Sequence, residues 1–302
     1  MHKVLVLMST YNGERYLAEQ LDSILIQRGV DVTILIRDDG STDNTIHILN
    51  DYASKNINLT YYQGTNVGPC MSFFDLLKHA YGYDYYAFSD QDDVWDEDKL
   101  VSAITKLEKF DSNSPLLYCS NLNVVDEKLN FYRICHSDSY NLNNKLLGLV
   151  EFFAVGCTEV FNQKAVDVSL QYWSKDCLMH DSWLFMICNF LGNVYYDTIP
   201  HINYRQHGNN VIGTETDYLD KMKASSIRIL NRKQQPRWQN ANALMESLSS
   251  VLSQSVMLEI KKMALYKKNI KNRIRLLFDF NIRAANVKKD LKYRFLIIMG
   301  LI

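Results

Sequence analysis

Apolar residues follow two patterns along the first third of the chain: short continuous runs, and single positions that recur at helical spacing. Apolar runs at residues 4–8, 32–36, 59–62 and 85–88 have the length and composition of buried strands. Between these runs, apolar residues recur every three or four positions, which is typical of one face of a helix. The helical positions are Leu17, Leu21, Ile24, Leu25, Ile46, Leu49, Ala53, Phe73, Leu76, Leu77, Ala80, Leu100, Ile104 and Leu107. The pattern predicts an α/β fold with a mostly parallel sheet flanked by helices.

The pattern changes twice further along the chain. From about residue 116 to 206 it is mixed, with short strands predicted near 116–119 and 194–196. After residue 214, Gly and Pro nearly vanish, and Ile270, Ile274 and Leu277 share one face of a predicted helix. We therefore predict a main domain over residues 1–214 and a helical C-terminal region over residues 215–302.

The charge of the chain is unevenly distributed. The 302 residues carry a formal net charge of −1, yet residues 261–294 contain twelve Lys and Arg against two Asp and Glu, a net of +10. The remainder therefore sums to −11. A basic tail on an acidic body predicts a partner for the tail. An anionic membrane surface is one candidate, with apolar contacts from Leu276, Leu277, Phe278, Phe280 and residues 295–302; oligomerisation through the tail and a solvated helical face are the alternatives.

Cysteine usage and apolar runs limit the class of protein. The six cysteines include no C-x-x-C pair, so they fit neither a zinc site nor a small disulfide framework. This favours a reduced, cytoplasmic compartment. Residues 4–8 are too short for the apolar part of a signal peptide. No run approaches the roughly 20 apolar residues of a membrane-spanning helix.

Two acidic runs carry the most specific signal. RDDGSTD (residues 37–43) and SDQDDVW (residues 89–95) each follow a predicted buried strand. Ligands bind beyond the carboxyl ends of strands in sheets of this kind. Carboxylates crowded there repel one another unless a cation or hydrogen-bond donor is present. The two runs therefore predict a metal ion bound together with a phosphorylated ligand.

Each acidic run also has a purely structural interpretation. In the first run, Gly40 permits a turn and Ser41 or Asp43 can cap the next helix. The functional alternative is that an Asp accepts the imide N–H of uracil or thymine while Tyr11 stacks on the base. The second run can be a solvated acidic turn, or it can place one carboxylate on a ribose and another on Mg²⁺ or Mn²⁺. Its spacing excludes a calcium EF-hand, because Val94, Trp95 and Val101 occupy positions five, six and twelve of that loop.

Two further clusters lie downstream. HDSW (residues 180–183) precedes an apolar stretch, so Asp181 is either a helix cap or a general base. YRQHGNN (residues 204–210) gathers Arg, His and Asn around a Gly, which suits a pyrophosphate or metal shell, although a single His is often structural. The sequence lacks the usual motifs of kinases, dehydrogenases, serine hydrolases and zinc proteases. It contains no phosphate-binding P-loop, no G-x-G-x-x-G, no G-x-S-x-G and no H-E-x-x-H.

Taken together, the motifs resemble those of family-2 inverting glycosyltransferases of the GT-A fold, which is Rossmann-like. More narrowly, they resemble bacterial rhamnosyltransferases of cell-wall and capsular polysaccharide assembly. The resemblance covers residues 3–212 and rests on STYNG (9–13), DDGSTD (38–43), NVG (66–68), SDQDDVW (89–95), HD (180–181) and YRQH (204–207). It departs from the family where PCMS (69–72) replaces a frequent basic residue and where Ser182 replaces a frequent aromatic.

The resemblance implies roles for individual residues. It makes Asp181 the catalytic base and Asp92 the metal ligand, with His207 as a further ligand. Tyr11 and Asp39 would hold the base and Asp90 the ribose. The nucleotide-binding set is Thr10, Tyr11, Asn12, Asp38, Asp39, Asn66 and Asp90. The residues around the donor sugar and acceptor are Asp93, Trp95, Gly156, Thr158, His180 and Trp183.

The resemblance also implies a reaction and its partners. A divalent metal, Mn²⁺ or Mg²⁺, would assist transfer of a sugar from a dTDP- or UDP-linked donor, with L-rhamnose as the narrower expectation. The acceptor would be a saccharide hydroxyl on a lipid diphosphate, which places the enzyme peripherally at the inner face of the plasma membrane. No nucleic-acid partner is expected. The alternatives are a nucleotidylyltransferase and a catalytically silent subunit that binds a sugar nucleotide.

Overall fold

The computed structural model describes residues 1–136, 140, 142–175, 177–208 and 235–302, which group into two compact units. The first unit comprises Met1–Ser137, Phe153–Gln171 and Met179–His207. The second comprises Asp138–Phe152, Tyr172–Leu178 and Gly208–Ile302. The second unit therefore also takes two segments from the earlier part of the chain. The boundary predicted at residue 214 lies outside the described residues and stays a prediction.

The first unit is built on a seven-stranded sheet and a smaller four-stranded sheet. The strands are β1 (His2–Thr10), β2 (Val30–Asp38), β3 (Leu59–Gln63), β4 (Tyr85–Ser89), β5 (Val94–Trp95), β6 (Leu116–Ser120), β7 (Asn123–Val125), β8 (Phe131–Ile134), β9 (Val160–Asn162), β10 (Asn193–Asp197) and β11 (Ile202–Arg205). The large sheet has the order β10-β6-β9-β4-β1-β2-β3. Its pairs are parallel except where β9 runs antiparallel to β4 and β6. The predicted α/β class with a mostly parallel sheet is confirmed.

Helices of the first unit connect these strands and cover the sheet. They are α1 (Leu17–Leu25), α2 (Thr45–Lys55), α3 (Pro69–Leu77), α4 (Lys99–Leu107), α6 (Gln163–Gln171) and α7 (His180–Leu191). The apolar faces predicted from spacing point inward: Leu21, Leu49 and Ile104 are all buried. Each such side chain stabilises the fold by about 1.5–3 kcal/mol relative to an exposed one. Because the strands are parallel, β1, β2 and β4 all end at the same edge of the sheet, where the polar loops follow.

The smaller sheet has the order β5-β11-β7-β8 and was not predicted. Its strands are only two to four residues long, too short for a periodic pattern to appear in the sequence. β11 pairs antiparallel with β5, so that Asn203 lies opposite Val94. This pairing brings Arg205 and His207, which lie far along the chain, next to the second acidic run.

The second unit is helical in its described part. It contains α5 (Leu147–Val150), α8 (Pro236–Ser247), α9 (Gln254–Ala264), α10 (Ile270–Leu277) and α11 (Val287–Met299). Three of these helices are preceded by a residue whose side chain accepts a hydrogen bond from a backbone N–H of the first turn, as expected for Ser and Asn caps. The capping residues are Ser253, Asn269 and Asn286. Among the described residues, none of the helices has the length and apolarity needed to cross a membrane.

Candidate active site

The first acidic run ties three loops together at the end of β2. Asp38 is buried and accepts hydrogen bonds from the backbone N–H groups of Gly40 (3.1 Å) and Ser41 (2.9 Å). The hydroxyl of Thr10, at the end of β1, also donates to Asp38 at 3.1 Å. Asp38 therefore holds the turn and joins it to the β1 loop, and its predicted part in nucleotide binding stays a prediction.

Asp39 connects the same run to the loop that precedes α3. Its carboxylate accepts the backbone N–H groups of Val67 (3.0 Å) and Gly68 (2.9 Å) and forms an ion pair with Arg37. Asp39 is only 3% exposed. Neighbouring Asn66 is exposed at the surface. In this structure Asp39 orders the Asn66 loop, and its predicted contact with a nucleobase stays a prediction.

Tyr11 and Asn12 lie on the solvent side of these loops. The Tyr11 side chain is 48% exposed, and its backbone N–H and C=O both bond to the Gln91 amide, at 2.8 and 3.1 Å. Asn12 has a positive φ of 49° and accepts the backbone N–H of Thr42 at 2.8 Å. The β1 loop is thereby fixed between the two acidic runs, while the Tyr11 ring is free to stack on a planar ligand.

Asp92 and His207 meet although they are 115 residues apart in sequence. His207 Nε2 lies 2.8 Å from Asp92 Oδ2, and the His207 ring packs against Tyr16 at a tilt of 32°, with the ring centroids 5.0 Å apart. Arg205 is buried beside them, donating its Nε to the Asp92 carbonyl (2.9 Å) and its Nη1 to the Glu127 carbonyl (2.6 Å). The structure thus brings together the two residues named as metal ligands from sequence. Asn209 and Asn210 of the same motif lie outside the described residues.

A buried group of charges lies beneath the second run, and sequence reasoning missed its cation. Lys99, the first residue of α4, is buried, donates to the Cys157 carbonyl at 2.7 Å and lies 3.1 Å from the centroid of the Trp95 ring. Burial lowers the pKa of Lys99 to about 7, against the opposing effect of Asp93 and Asp90. Little in the sequence indicated this, because Lys99 precedes the apolar positions Leu100, Ile104 and Leu107 and lies off their face, where a lysine is usually exposed.

The carboxylates of the second run repel one another. Burial, and then the charges of Asp92 and Asp181, raise the pKa of Asp90 to about 7. Burial, and then the charges of Asp92 and Asp90, raise the pKa of Asp93. Asp93 is buried and accepts the Arg205 backbone N–H at 3.1 Å. This repulsion is what a bound cation would relieve.

Ligand atoms of Asp90, Asp93 and Cys157 also lie within 4.8 Å of one another. Burial raises the pKa of the Cys157 thiol, which keeps it protonated and makes it a poor metal ligand. The ammonium form of Lys99, whose pKa is lowered to about 7 by burial, also acts on this cluster. The Asp92–His207 pair is therefore the better candidate for the metal.

Asp181 lies in the first turn of α7, where the helix N-terminus favours a negative charge. Its carboxylate accepts the backbone N–H groups of Ser182 at 2.6 Å and Gly156 at 3.2 Å. Burial is the largest effect and raises the pKa of Asp181 to about 6, while these hydrogen bonds oppose it. The charge of Asp181 acts on Asp90, so the α7 terminus and the second acidic run belong to one electrostatic site.

His180 and Gly156 form the wall beside Asp181. The His180 ring stacks on Phe73 with centroids 3.9 Å apart, and burial lowers its pKa to about 3. A side chain at Gly156 would come within 3.3 Å of His180 Nε2 and 3.4 Å of Asp181 Oδ2. Gly156 therefore permits the close approach of its own backbone N–H to the Asp181 carboxylate.

Three residues expected around the sugar lie in the interior instead. Trp183 has no exposed surface and its indole N–H donates to the Ser169 carbonyl at 3.2 Å. Thr158 is equally buried and bonds to the Val155 carbonyl at 2.8 Å, while Trp95 is covered by Lys99. These side chains are therefore packed in the core, and their predicted contact with the sugar or acceptor stays a prediction.

The chain is similar to several known proteins. The model of the glycosyl transferase family 2 matches residues 5–169. The dTDP-rhamnosyl transferase RfbG of Shigella flexneri is 32% identical over 239 residues, which cover 72% of this chain and 77% of that protein. Two solved structures share the fold across 98% of the chain. TarS of S. aureus, residues 1–349 in complex with UDP-GlcNAc, has a TM-score of 0.57, 18% identity and 90% of its chain covered.

The second solved structure is the mannosyltransferase PcManGT of Pyrobaculum calidifontis, in complex with GDP-Man and Mn²⁺. It has a TM-score of 0.50 at 15% identity, with 85% of its chain covered. At these identities the two structures support the GT-A fold alone. The family match and the RfbG relative support the activity. This chain belongs to glycosyl transferase family 2 and is a glycosyltransferase.

Proposed function

We propose that this glycosyltransferase moves a sugar, with inversion and with the help of a divalent metal, from a nucleotide diphosphate donor to a saccharide hydroxyl. The observation that carries the proposal is that the turn at residues 156–157 joins Asp181 to the second acidic run. Gly156 N–H donates to Asp181 at 3.2 Å, and Cys157 Sγ lies within 4.8 Å of carboxylate oxygens of Asp90 and Asp93. Asp181 offers a base on one side of this site, and the second acidic run offers carboxylates suited to a cation and a ribose on the other. Family membership adds that sugar transfer is the reaction this arrangement performs.

Asp181 is the proposed general base. Its two hydrogen bonds from Ser182 and Gly156 fix the carboxylate while leaving oxygen lone pairs for an acceptor hydroxyl. Asp181 removes the proton of that hydroxyl as its oxygen attacks the anomeric carbon. The bond between the anomeric carbon and the diphosphate oxygen breaks on the opposite face, and the nucleoside diphosphate leaves. A single displacement of this kind needs one base and forms no covalent sugar–enzyme intermediate.

Asp92 and His207 would hold the metal, since their ligand atoms lie 2.8 Å apart at the edge of the acidic run. A bound Mn²⁺ or Mg²⁺ supplies stabilisation of the negative charge on the departing diphosphate. Asp90 is assigned to the ribose, and Tyr11, Asn12 and the Asn66 loop to the base. Thr10, Asp38 and Asp39 order those loops. His180 and Gly156 shape the space beside Asp181 in which the donor sugar and acceptor meet.

The narrower substrate proposal is dTDP-L-rhamnose, because the RfbG relative is named as a dTDP-rhamnosyl transferase. We further propose that the acceptor is carried on a lipid diphosphate, which would place the enzyme peripherally at the inner face of the plasma membrane. A nucleotidylyltransferase or a silent binding subunit has no support from the relatives.

The test is donor hydrolysis with a panel of dTDP-rhamnose, UDP-GlcNAc and GDP-mannose, each with Mn²⁺ and with a chelator. We expect dTDP-rhamnose to be hydrolysed fastest and the chelator to abolish hydrolysis. Asp92→Ala should weaken donor binding in the presence of Mn²⁺ by at least about tenfold, which calorimetry measures. Asp51→Ala, which removes an exposed carboxylate of α2, is the control. Unchanged donor affinity in Asp92→Ala would remove the metal assignment.

A further inference from the structure

Helix α10 exposes an apolar stripe instead of burying it. Ile270, Ile274 and Phe278 recur at intervals of four residues and are 49–66% exposed. Leu276, on another side of the helix, is fully buried and supplies the contact with the core of the second unit. Leu276 is therefore not available to a membrane, contrary to the prediction from sequence, because it has no exposed surface.

Helix α11 repeats this arrangement. Val287, Leu291, Phe295 and Ile298 form a stripe that is 53–77% exposed, while Tyr293 and Ile297 are buried. Within residues 295–302, predicted as one apolar segment for a membrane, Ile297 and Ile302 are therefore core residues. Two neighbouring helices thus present seven large apolar side chains to solvent, which exceeds what scattered surface residues explain.

The two stripes lie on one side of the helix pair. Arg294 of α11 donates to the carbonyls of Leu277 and Asp279 at the end of α10, whereas Gly300 lies against Arg273 nearer its beginning. The helices are therefore antiparallel. Each helix can be viewed along its own axis, with 3.6 residues per turn. Going around either helix in the same direction, one meets first its buried side, then the side that faces the other helix, and then its exposed stripe. In an antiparallel pair this order places both stripes on a common surface, here called the tail face.

Cations border the tail face in a repeated pattern. In four places an exposed apolar residue is followed directly by an exposed basic one. The pairs are Ile270-Lys271, Ile274-Arg275, Val287-Lys288 and Leu291-Lys292. Within the described ranges, none of these four cations forms an ion pair. These four charges thus lie beside the exposed apolar surface, whereas Lys262, Lys289 and Arg294 of the same region are ion-paired.

We propose that the tail face docks on an anionic lipid surface, with its apolar side chains among the acyl chains and its cations at the headgroups. Apolar residues flanked by Lys and Arg are the pattern of helices that lie in a membrane interface. A second copy is a poor occupant, because a symmetric dimer would place the same cationic patch opposite itself. Docking of this kind would account for the membrane location given under the proposed function. The evidence for it comes from the surface of the second unit alone.

The charge contribution is tested by matched triple variants of the full chain. Lys271→Glu, Lys288→Glu and Lys292→Glu change the tail face, and Lys109→Glu, Lys128→Glu and Lys164→Glu change three exposed lysines of the first unit by the same charge. Flotation uses phosphatidylcholine vesicles with and without phosphatidylglycerol. We expect binding only with phosphatidylglycerol, decreasing with salt, and reduced about a hundredfold in the tail variant but not in the control. Equal binding of the two variants would overturn the proposal.

Insertion is tested by a reporter in the tail face. Phe278→Trp places an indole in the stripe, and Phe131→Trp places one at a similarly exposed site in the first unit. Brominated lipids should quench the added Trp emission of the first variant and leave that of the second unchanged. Absence of quenching, or a dimer that the tail variants dissociate in sedimentation, would show that something other than lipid covers the face. Donor hydrolysis measured on the same samples keeps this result separate from the proposed chemistry.

Discussion

At the scale of single residues, Asp181 combines a fixed position with a protonation state suited to a general base. Backbone N–H groups on two elements, α7 and the Gly156 turn, orient the carboxylate. Replacement by Asn keeps the shape of the side chain but removes the proton acceptor. We expect Asp181→Asn to lower the transfer rate by about 10²- to 10⁴-fold, the usual contribution of general-base catalysis. Calorimetry should find donor binding nearly unchanged.

Ser182→Ala is the control for that variant, because it changes the neighbouring side chain and leaves the backbone N–H donor in place. It should keep nearly the full transfer rate. Near-normal transfer by Asp181→Asn would show that the proton goes elsewhere.

The raised pKa of Asp181 also predicts how the rate depends on pH. Burial raises that pKa from 3.8 to about 6, so the protonated carboxyl persists over this interval and only the ionised form accepts a proton. The rate should therefore be full above about pH 7 and fall as the pH drops through about 6. A profile of kcat/KM against pH checks this, with donor binding followed in parallel. A rate that stays constant down to pH 4.5 would contradict the assignment.

At the scale of elements, the loop before α3 depends on Gly68. Gly68 has φ +79° and ψ 163°, a conformation almost restricted to glycine, and its N–H bonds to Asp39. A Cβ there would meet no atom within 4 Å, so Gly68→Ala costs only backbone strain, about 1–3 kcal/mol. Gly82→Ala is a matched control, with φ +83° and the same open space.

Both glycine variants should lose similar stability in thermal unfolding. Only Gly68→Ala should weaken nucleotide binding, because only its loop is held by Asp39. An equal effect of the two variants on binding would mean that the Asn66 loop does not contact the nucleotide.

The individual strands and helices also show how much of this fold could be predicted from the sequence. Periodicity was sufficient for β1, β2, β3, β4, β6 and β10 of the large sheet, but it missed β9, which has only three residues. It could not reveal the smaller sheet, whose β5 has two residues, and so it could not place Arg205 beside Asp92. The sequence also could not separate Trp95 and Trp183, which are buried, from Tyr11, which is exposed. A motif identifies residue types, whereas packing decides which side chains reach the surface.

At the scale of the whole molecule, the C-terminal residues serve both the core and the surface of the second unit. Leu276, Tyr293 and Ile297 are buried, and the Ile302 N–H donates to the Tyr266 hydroxyl at 3.2 Å. Each large buried side chain contributes about 1.5–3 kcal/mol. A chain ending at Asn269 would lose all of these contacts at once. Its failure to bind vesicles would therefore not distinguish a missing docking surface from an unfolded unit.

The truncation is nevertheless informative about the two units. Every residue assigned to the donor, the metal or the base lies in the first unit, whereas the contacts removed lie in the second. We expect the chain ending at Asn269 to lose more helical circular dichroism than the deleted residues account for, while metal-dependent donor hydrolysis persists. The tail triple variant, which changes only exposed side chains, should keep both signals. Loss of hydrolysis in the truncated chain would mean that the first unit needs the second to hold its site together.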